Sequence, residues 1–140
     1  MSDKSVALLV VDGGSKGNPG SIYLAYYYNV TIGSEEYSRG PAIVTTDITG
    51  TNNQAEYQAM LLGIRKVVDW LYETDRSSED IYLVILSDSQ LAVNQLNGIY
   101  NTKSEKLQQL KARVLQSLDG FGNYVIRWVP RYVVNAYLGC

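Results

Sequence analysis

Apolar residues fall into blocks along this chain, and the spacing within the blocks changes character several times. Residues 5–11 form a continuous apolar run after Ser5, ended by Asp12-Gly13-Gly14. A run this short, without polar alternation, predicts a strand covered on both faces, as in the middle of a sheet. Residues 23–32 and 36–46 are rich in β-branched and aromatic side chains, and Gly33-Ser34 between them supplies a tight connection. A hairpin is expected there.

From residue 52 to 73 the period becomes helical, with Thr51 or Asn52 as N-cap and a polar exit over residues 75–78. Residues 81–86 are a second buried aliphatic run, again ended by an acidic turn, Ser87-Asp88-Ser89. A short helix over 90–96, a second over 104–118 and a last strand over 124–129 before Pro130 complete the pattern. Residues 131–140 carry no clear assignment. Three antiparallel strands followed by right-handed crossovers into two more give a mixed sheet flanked by helices, of the α/β class. No repeat or linker interrupts the pattern, so residues 1–140 are expected to form a single domain.

Composition narrows the class. The chain has 140 residues, 46% of them apolar and 19% charged, enough for one sizeable core. Its aliphatic runs are far too short to span a bilayer. Residues 1–4 show no apolar leader, and the one cysteine, Cys140, is the last residue and has no intrachain partner. The expectation is a soluble, monomeric protein of a reducing cytoplasm, without a membrane partner. There is no histidine, which excludes Ser-His-Asp and Cys-His nucleophiles and every His-ligated zinc site. Hydrolytic chemistry would then rest on carboxylates. The net charge of -2 does not favour a strongly basic nucleic-acid binder, yet phosphate contacts depend on local patches.

Three acids answer that requirement. Asp12 closes the first buried run and Asp88 the second, and ligands of open α/β sheets bind beyond the carboxyl ends of parallel strands. One such Asp is ordinarily a turn or cap residue; two at equivalent strand ends weaken that reading. Glu56 lies on the helix face shared by Met60, Gly63, Val67 and Trp70, with Arg65, Lys66 and Asp69 on the other side. A first-turn Glu also suits the helix dipole, but a carboxylate in an apolar stripe requires a partner. Hard oxygen ligands without His or Cys suit Mg²⁺, with Mn²⁺ as the other candidate, and two-metal phosphodiester hydrolysis needs little more from a protein.

With these positions in view, the chain resembles the type 1 ribonucleases H. Asp12-Gly13-Gly14-Ser15-Lys16-Gly17-Asn18-Pro19-Gly20 resembles the family's first motif, Thr51-Asn52-Asn53-Gln54-Ala55-Glu56-Tyr57 its second and Ser87-Asp88-Ser89-Gln90 its third. Trp128-Val129-Pro130-Arg131 resembles the stretch at the end of the last strand, so the likeness covers nearly the whole chain. It implies a ribonuclease H-like five-stranded mixed sheet of order 3-2-1-4-5. It also implies an endonuclease that hydrolyses the RNA strand of an RNA/DNA hybrid, leaving 5′-phosphate and 3′-hydroxyl ends.

By the same resemblance Asp12, Glu56 and Asp88 are the metal-binding catalytic acids. Gly13, Gly14, Asn52, Asn53 and Gln90 lie along the minor groove near the 2′-hydroxyls that distinguish RNA from DNA. Asn18 and Thr51 match positions that hold a phosphate of the DNA strand, although the basic partner two residues before Thr51 is here Thr49. Turn and cap chemistry accounts for Asn18 equally well. Lys103, Lys106, Lys111 and Arg113, near Tyr100, are a candidate patch for the DNA backbone, though basic positions on a helix are ordinarily a solvated face.

The chain departs from the family pattern at its end. The fourth carboxylate expected after the last strand is missing, since no Asp or Glu follows Asp119. Asn135 is placed at that position as a catalytic and metal-binding residue whose amide oxygen still ligates a hard cation without bringing charge. Tyr137 is the rival for the place, and Asn135 also fits a structural asparagine upstream of it. The missing acid raises a second function, a module that grips hybrids and cuts them weakly or not at all. A third is a nuclease of the same fold acting on DNA junctions.

Overall fold

The structure, a computed structural model, describes residues 5–139; the expectations for residues 1–4 and for Cys140 lie outside them. Five strands form one sheet, β1 (Ser5–Lys16), β2 (Gly20–Ile32), β3 (Glu35–Gly50), β4 (Ile81–Ser87) and β5 (Asn123–Trp128), in the order β3-β2-β1-β4-β5. β1 pairs antiparallel with β2 and β2 with β3, while β4 runs parallel to both β1 and β5. This is the expected mixed sheet. Ile32 pairs with Glu35 across Gly33-Ser34, and Gly33 takes a φ of 61°, a left-handed conformation that glycine adopts without Cβ strain.

Helix α1 (Asn52–Glu73) begins at Thr51, whose side chain accepts from Gln54 N at 3.2 Å while Gln54 Oε1 accepts from Thr51 N at 3.0 Å. That reciprocal box settles the cap on Thr51 and satisfies two otherwise orphaned N–H groups. The helix buries Ala59, Met60, Gly63, Val67 and Trp70 against Ala7, Leu9 and Val11 on one face of β1. Met60 is fully buried, and truncating such a side chain to Ala costs about 2–5 kcal/mol. Helices α2 (Gln90–Leu96) and α3 (Glu105–Leu118) follow β4 on the chain as expected.

The hairpin strands extend past their expected bounds, β2 starting at Gly20 and β3 running to Gly50, and two further features differ from the sequence reading. β1 does not stop at Asp12 but continues to Lys16, because β2 extends the antiparallel ladder through Gly13↔Leu24, Gly14↔Tyr23 and Lys16↔Ser21. Residues 131–140, left unassigned, contain helix α4 (Arg131–Leu138), closed by Gly139 at a φ of 74°. Its Val134 and Leu138 pack on Val10 and Ala25, the face of the sheet opposite α1. Alternate residues of β1 thus feed two apolar layers, as strand geometry requires. No helix of the described residues is long and apolar enough to cross a membrane.

Candidate active site

The site begins where the parallel ladder ends. Its last rung is Val10 with Leu86; beyond it β1 stays with β2, whereas β4 ends at Ser87 and turns into α2. Asp12 and Asp88 each stand two residues past that rung and share the opening between the strands. The turn carrying Asp88 is fixed from three directions. Ser87 Oγ, fully buried, accepts from Ser89 N at 3.1 Å, Ser89 Oγ caps α2 by accepting from Ala92 N at 3.2 Å, and Trp128 Nε1 donates to the Asp88 carbonyl at 3.1 Å.

Glu56 reaches the same opening from α1. The helix approaches β1 so closely at Gly13 that any Cβ there would overlap the backbone of Ala55 and Glu56, so glycine is required for packing at this position. One carboxylate oxygen from each of Asp12, Glu56 and Asp88 lies within 4.8 Å of the others. Asp12 is 5% exposed and Glu56 8%, and the Asp88 side chain is 7% exposed. Asp12 Oδ1, Glu56 Oε2 and Asp88 Oδ2 are buried without a hydrogen bond, although Asp88 Oδ2 lies 3.4 Å from Arg131 Nε.

Burial and mutual repulsion disfavour the ionised forms. Burial pushes Glu56 up to about 9, helped by the negative charges of Asp12 and Asp88. Asp12 is raised as well, first by burial and then by Asp88, with Arg131 opposing. Such a cluster asks for a cation. Oxygen-only donors with unsatisfied lone pairs fit a hard divalent ion of the Mg²⁺ type.

The other sequence-predicted residues divide into tied and free groups. Asn18 Oδ1 accepts from Asn52 N at 3.0 Å, and Asn52 Oδ1 accepts from Ser15 N at 2.9 Å. With the Thr51 cap, these contacts fasten the β1–β2 connection to the start of α1, so these side chains already serve the fold. Asn53 does not share that duty: its Oδ1 is buried without a partner. Gly14 faces the Tyr23 ring, and Gly13, Gly14, Asn52 and Asn53 line the cleft of about 570 Å³ that holds Glu56 and Asp88. Gln90 is exposed at the first position of α2, just outside that lining.

On α4, Asn135 stands four residues after Arg131 and so shares its helix face. Asn135 Oδ1 is buried and unpartnered, whereas the Tyr137 ring packs on Tyr27 with centroids 5.5 Å apart. Five cleft residues have no role in the sequence reading: Tyr23, Ser89, Leu91, Trp128 and Arg131. Tyr23 depends on a strand register that no local pattern reveals. Trp128 and Arg131 were visible only as part of a motif, and what each touches follows from α4 and β5 docking beside β4. The candidate basic patch separates: Lys111 lines a hollow with Tyr100, while Arg113 lines a groove of about 650 Å³ with Arg65 of α1. That groove contains no carboxylate.

A mixed sheet of order 3-2-1-4-5, with three carboxylates gathered where its central parallel strands part, defines the ribonuclease H-like class. The family model described as Reverse transcriptase-like matches residues 42–136. Ribonuclease HI of Halobacterium salinarum is 32% identical over 120 residues, covering 86% of this chain and 54% of that relative. The crystal structure of RNase H1 from the same archaeon superposes with a TM-score of 0.75 at 26% identity, over 93% of this chain and 89% of that one. The N-terminal RNase H domain of Rv2228c from Mycobacterium tuberculosis, solved as a maltose-binding-protein fusion, gives a TM-score of 0.75 at 25% identity, over 94% and 87% of the two chains. The chain therefore belongs to the type 1 ribonuclease H family. It spans about half the length of its Halobacterium relative.

Proposed function

We propose that this chain is a divalent-metal-dependent ribonuclease H that hydrolyses the RNA strand of RNA/DNA hybrids, leaving 5′-phosphate and 3′-hydroxyl ends. The observation that carries the reading is the acid cluster itself: three buried carboxylates within 4.8 Å of one another, each with an oxygen lacking a hydrogen bond. A structural role would leave no such atoms orphaned. Asp12, Glu56 and Asp88 would hold Mg²⁺ or Mn²⁺, with Asn135 Oδ1 in the fourth place. When bound, the ions supply Lewis acidity for water activation and charge neutralisation at the leaving oxygen.

The chain's own groups do the rest. Asp88 is immobilised by the Ser87, Ser89 and Trp128 contacts, so its carboxylate is presented without reorganisation. Gly13 and Gly14 keep the cleft floor free of side chains, and Asn53 offers an unsatisfied amide oxygen as acceptor for a 2′-hydroxyl or base-edge N–H. Gln90, exposed at the start of α2, would read the same groove from just outside the cleft. Asn18 and Thr51 would meet a phosphate of the DNA strand, with side chains that in the free protein already accept from the first N–H groups of α1.

The neutral amide at the fourth position supports a second reading, a hybrid-binding module with weak cleavage. One assay separates them: labelled RNA/DNA hybrid, duplex DNA and duplex RNA are each incubated with Mg²⁺, with Mn²⁺ and with EDTA. Metal-dependent cuts confined to the RNA strand of the hybrid are expected. Hybrid binding without cuts selects the module, and cleavage of duplex DNA overturns both.

A further inference from the structure

Arg131 places a fixed positive charge on the acid cluster. Its Nε lies 3.4 Å from Asp88 Oδ2, and its guanidinium also acts on Asp12. The contact is unequal, because the Asp88 side chain is 7% exposed and that of Arg131 68%. A buried carboxylate therefore meets a cation whose long side chain is free to leave. Arginine stays charged at every accessible pH, so the pair does not relax by proton transfer.

The charge count gives this contact its meaning. With a divalent ion bound, which favours the ionised forms, the three carboxylates bring three negative charges, Asn135 brings none, and Arg131 brings one positive charge. The sum, -2, is balanced by a single divalent ion. A guanidinium against Asp88 repels an incoming cation and occupies a carboxylate oxygen that the cation needs.

We infer that Arg131 is a positioning residue that stands in as the cluster's resident counter-ion, holds Asp88 in place in the metal-free protein and competes with the divalent ion for it. Metal affinity is thereby set by an arginine as well as by the acids. The inference rests on the metal-binding reading above.

The test is Mn²⁺ binding to the free protein, followed by electron paramagnetic resonance of the unbound ion, for wild type, Arg131→Gln and Arg131→Lys. Like-charge repulsion across a few ångströms of partly solvated cleft is worth on the order of three- to tenfold in affinity. Arg131→Gln should tighten Mn²⁺ binding by about that factor, Arg131→Lys should stay near wild type, and the gap should narrow in high salt. Mg²⁺-induced thermal stabilisation should follow the same order. Wild type that binds metal normally while Arg131→Gln binds it equally or more weakly overturns the inference alone. Wild type that binds neither ion overturns the metal-site reading and this inference with it.

Discussion

Asp12 and Asp88 stand in the same relation to the sheet, each two residues beyond the Val10–Leu86 rung that ends the parallel ladder. The β1–β4 register thus carries one carboxylate to the other, and neither side chain needs an unusual backbone. Glu56 joins them from a different element, and what admits it is the missing Cβ of Gly13. The site is a consequence of strand register and helix approach together.

On the proposed metal-binding reading, Asp12→Asn, Glu56→Gln and Asp88→Asn should each abolish most cleavage while circular dichroism stays native. Melting temperatures should hold or rise, since each change removes a buried ionisable group from a repelling cluster. Near wild-type turnover at saturating metal in any one of them would remove that residue from the mechanism.

The Gly13 contact makes a separate prediction. Gly13→Ala forces a Cβ into the backbone of α1 and should destabilise the fold by about 1–3 kcal/mol or more, with activity lost as Glu56 is displaced. Gly14→Ala meets the far end of the Tyr23 side chain instead of backbone, and a side-chain end shifts at lower cost, so its stability loss should be smaller. Denaturant melts of the two variants decide this, and equal losses would refute it.

Tied and free amides should separate in the same way. Asn18→Ala removes the acceptor for the first N–H of α1 and should lower stability by about 1 kcal/mol. Asn53→Ala and Gln90→Ala break no hydrogen bond recorded within the described residues. They should leave melting nearly unchanged while weakening hybrid binding by about 1–3 kcal/mol each. Unaltered hybrid affinity in both would confine these residues to a structural role.

Glu56 should also impose a pH dependence on the metal-free protein. Its folded-state value, about 9, lies above the ordinary 4.5, so between those limits the native state binds more protons than the unfolded chain and stability falls as pH rises. In EDTA, unfolding free energy should therefore decline from about pH 4.5 to about pH 9, and Glu56→Gln should flatten the curve. Divalent metal should flatten it too, by favouring the ionised carboxylate. A wild-type curve that matches Glu56→Gln throughout would contradict the burial argument.

Most of this was legible in the chain because its signals are local. The buried runs before Asp12 and Asp88, the Thr51 cap and the apolar stripe containing Glu56 are each readable within a few turns of sequence. What was not legible depends on partners far along the chain. The extension of β1 past Asp12 needs β2 to continue the ladder, and the Gly14–Tyr23 fit needs their register. Helix α4 had usable signals, Pro130 before it, Gly139 after it and the Val134–Leu138 spacing, but eight residues are too few for a firm periodicity. Arg131 shows why a motif is not a role: its contact with Asp88 exists only once α4 has docked.

The fourth position gives the sharpest mutational test. Asn135 carries a buried, unpartnered amide oxygen on the face of α4 that bears Arg131, whereas Tyr137 is occupied with Tyr27. The proposed reading puts Asn135 in the place of the missing acid, where an amide leaves the site one negative charge short. On that placement Asn135→Asp adds a hard anionic ligand and should lower the metal concentration needed for half-maximal cleavage. Turnover need not rise in step, because tighter metal capture can slow product release. Asn135→Ala removes the ligand and should raise the metal requirement. Tyr137→Asp should cost stability through the lost ring contact, roughly 0.5–1.5 kcal/mol beyond its area, and leave the metal curve unmoved. The measurement is a metal titration of hybrid cleavage for all four proteins, and a shift with Tyr137→Asp alone would move the fourth position from Asn135 to Tyr137.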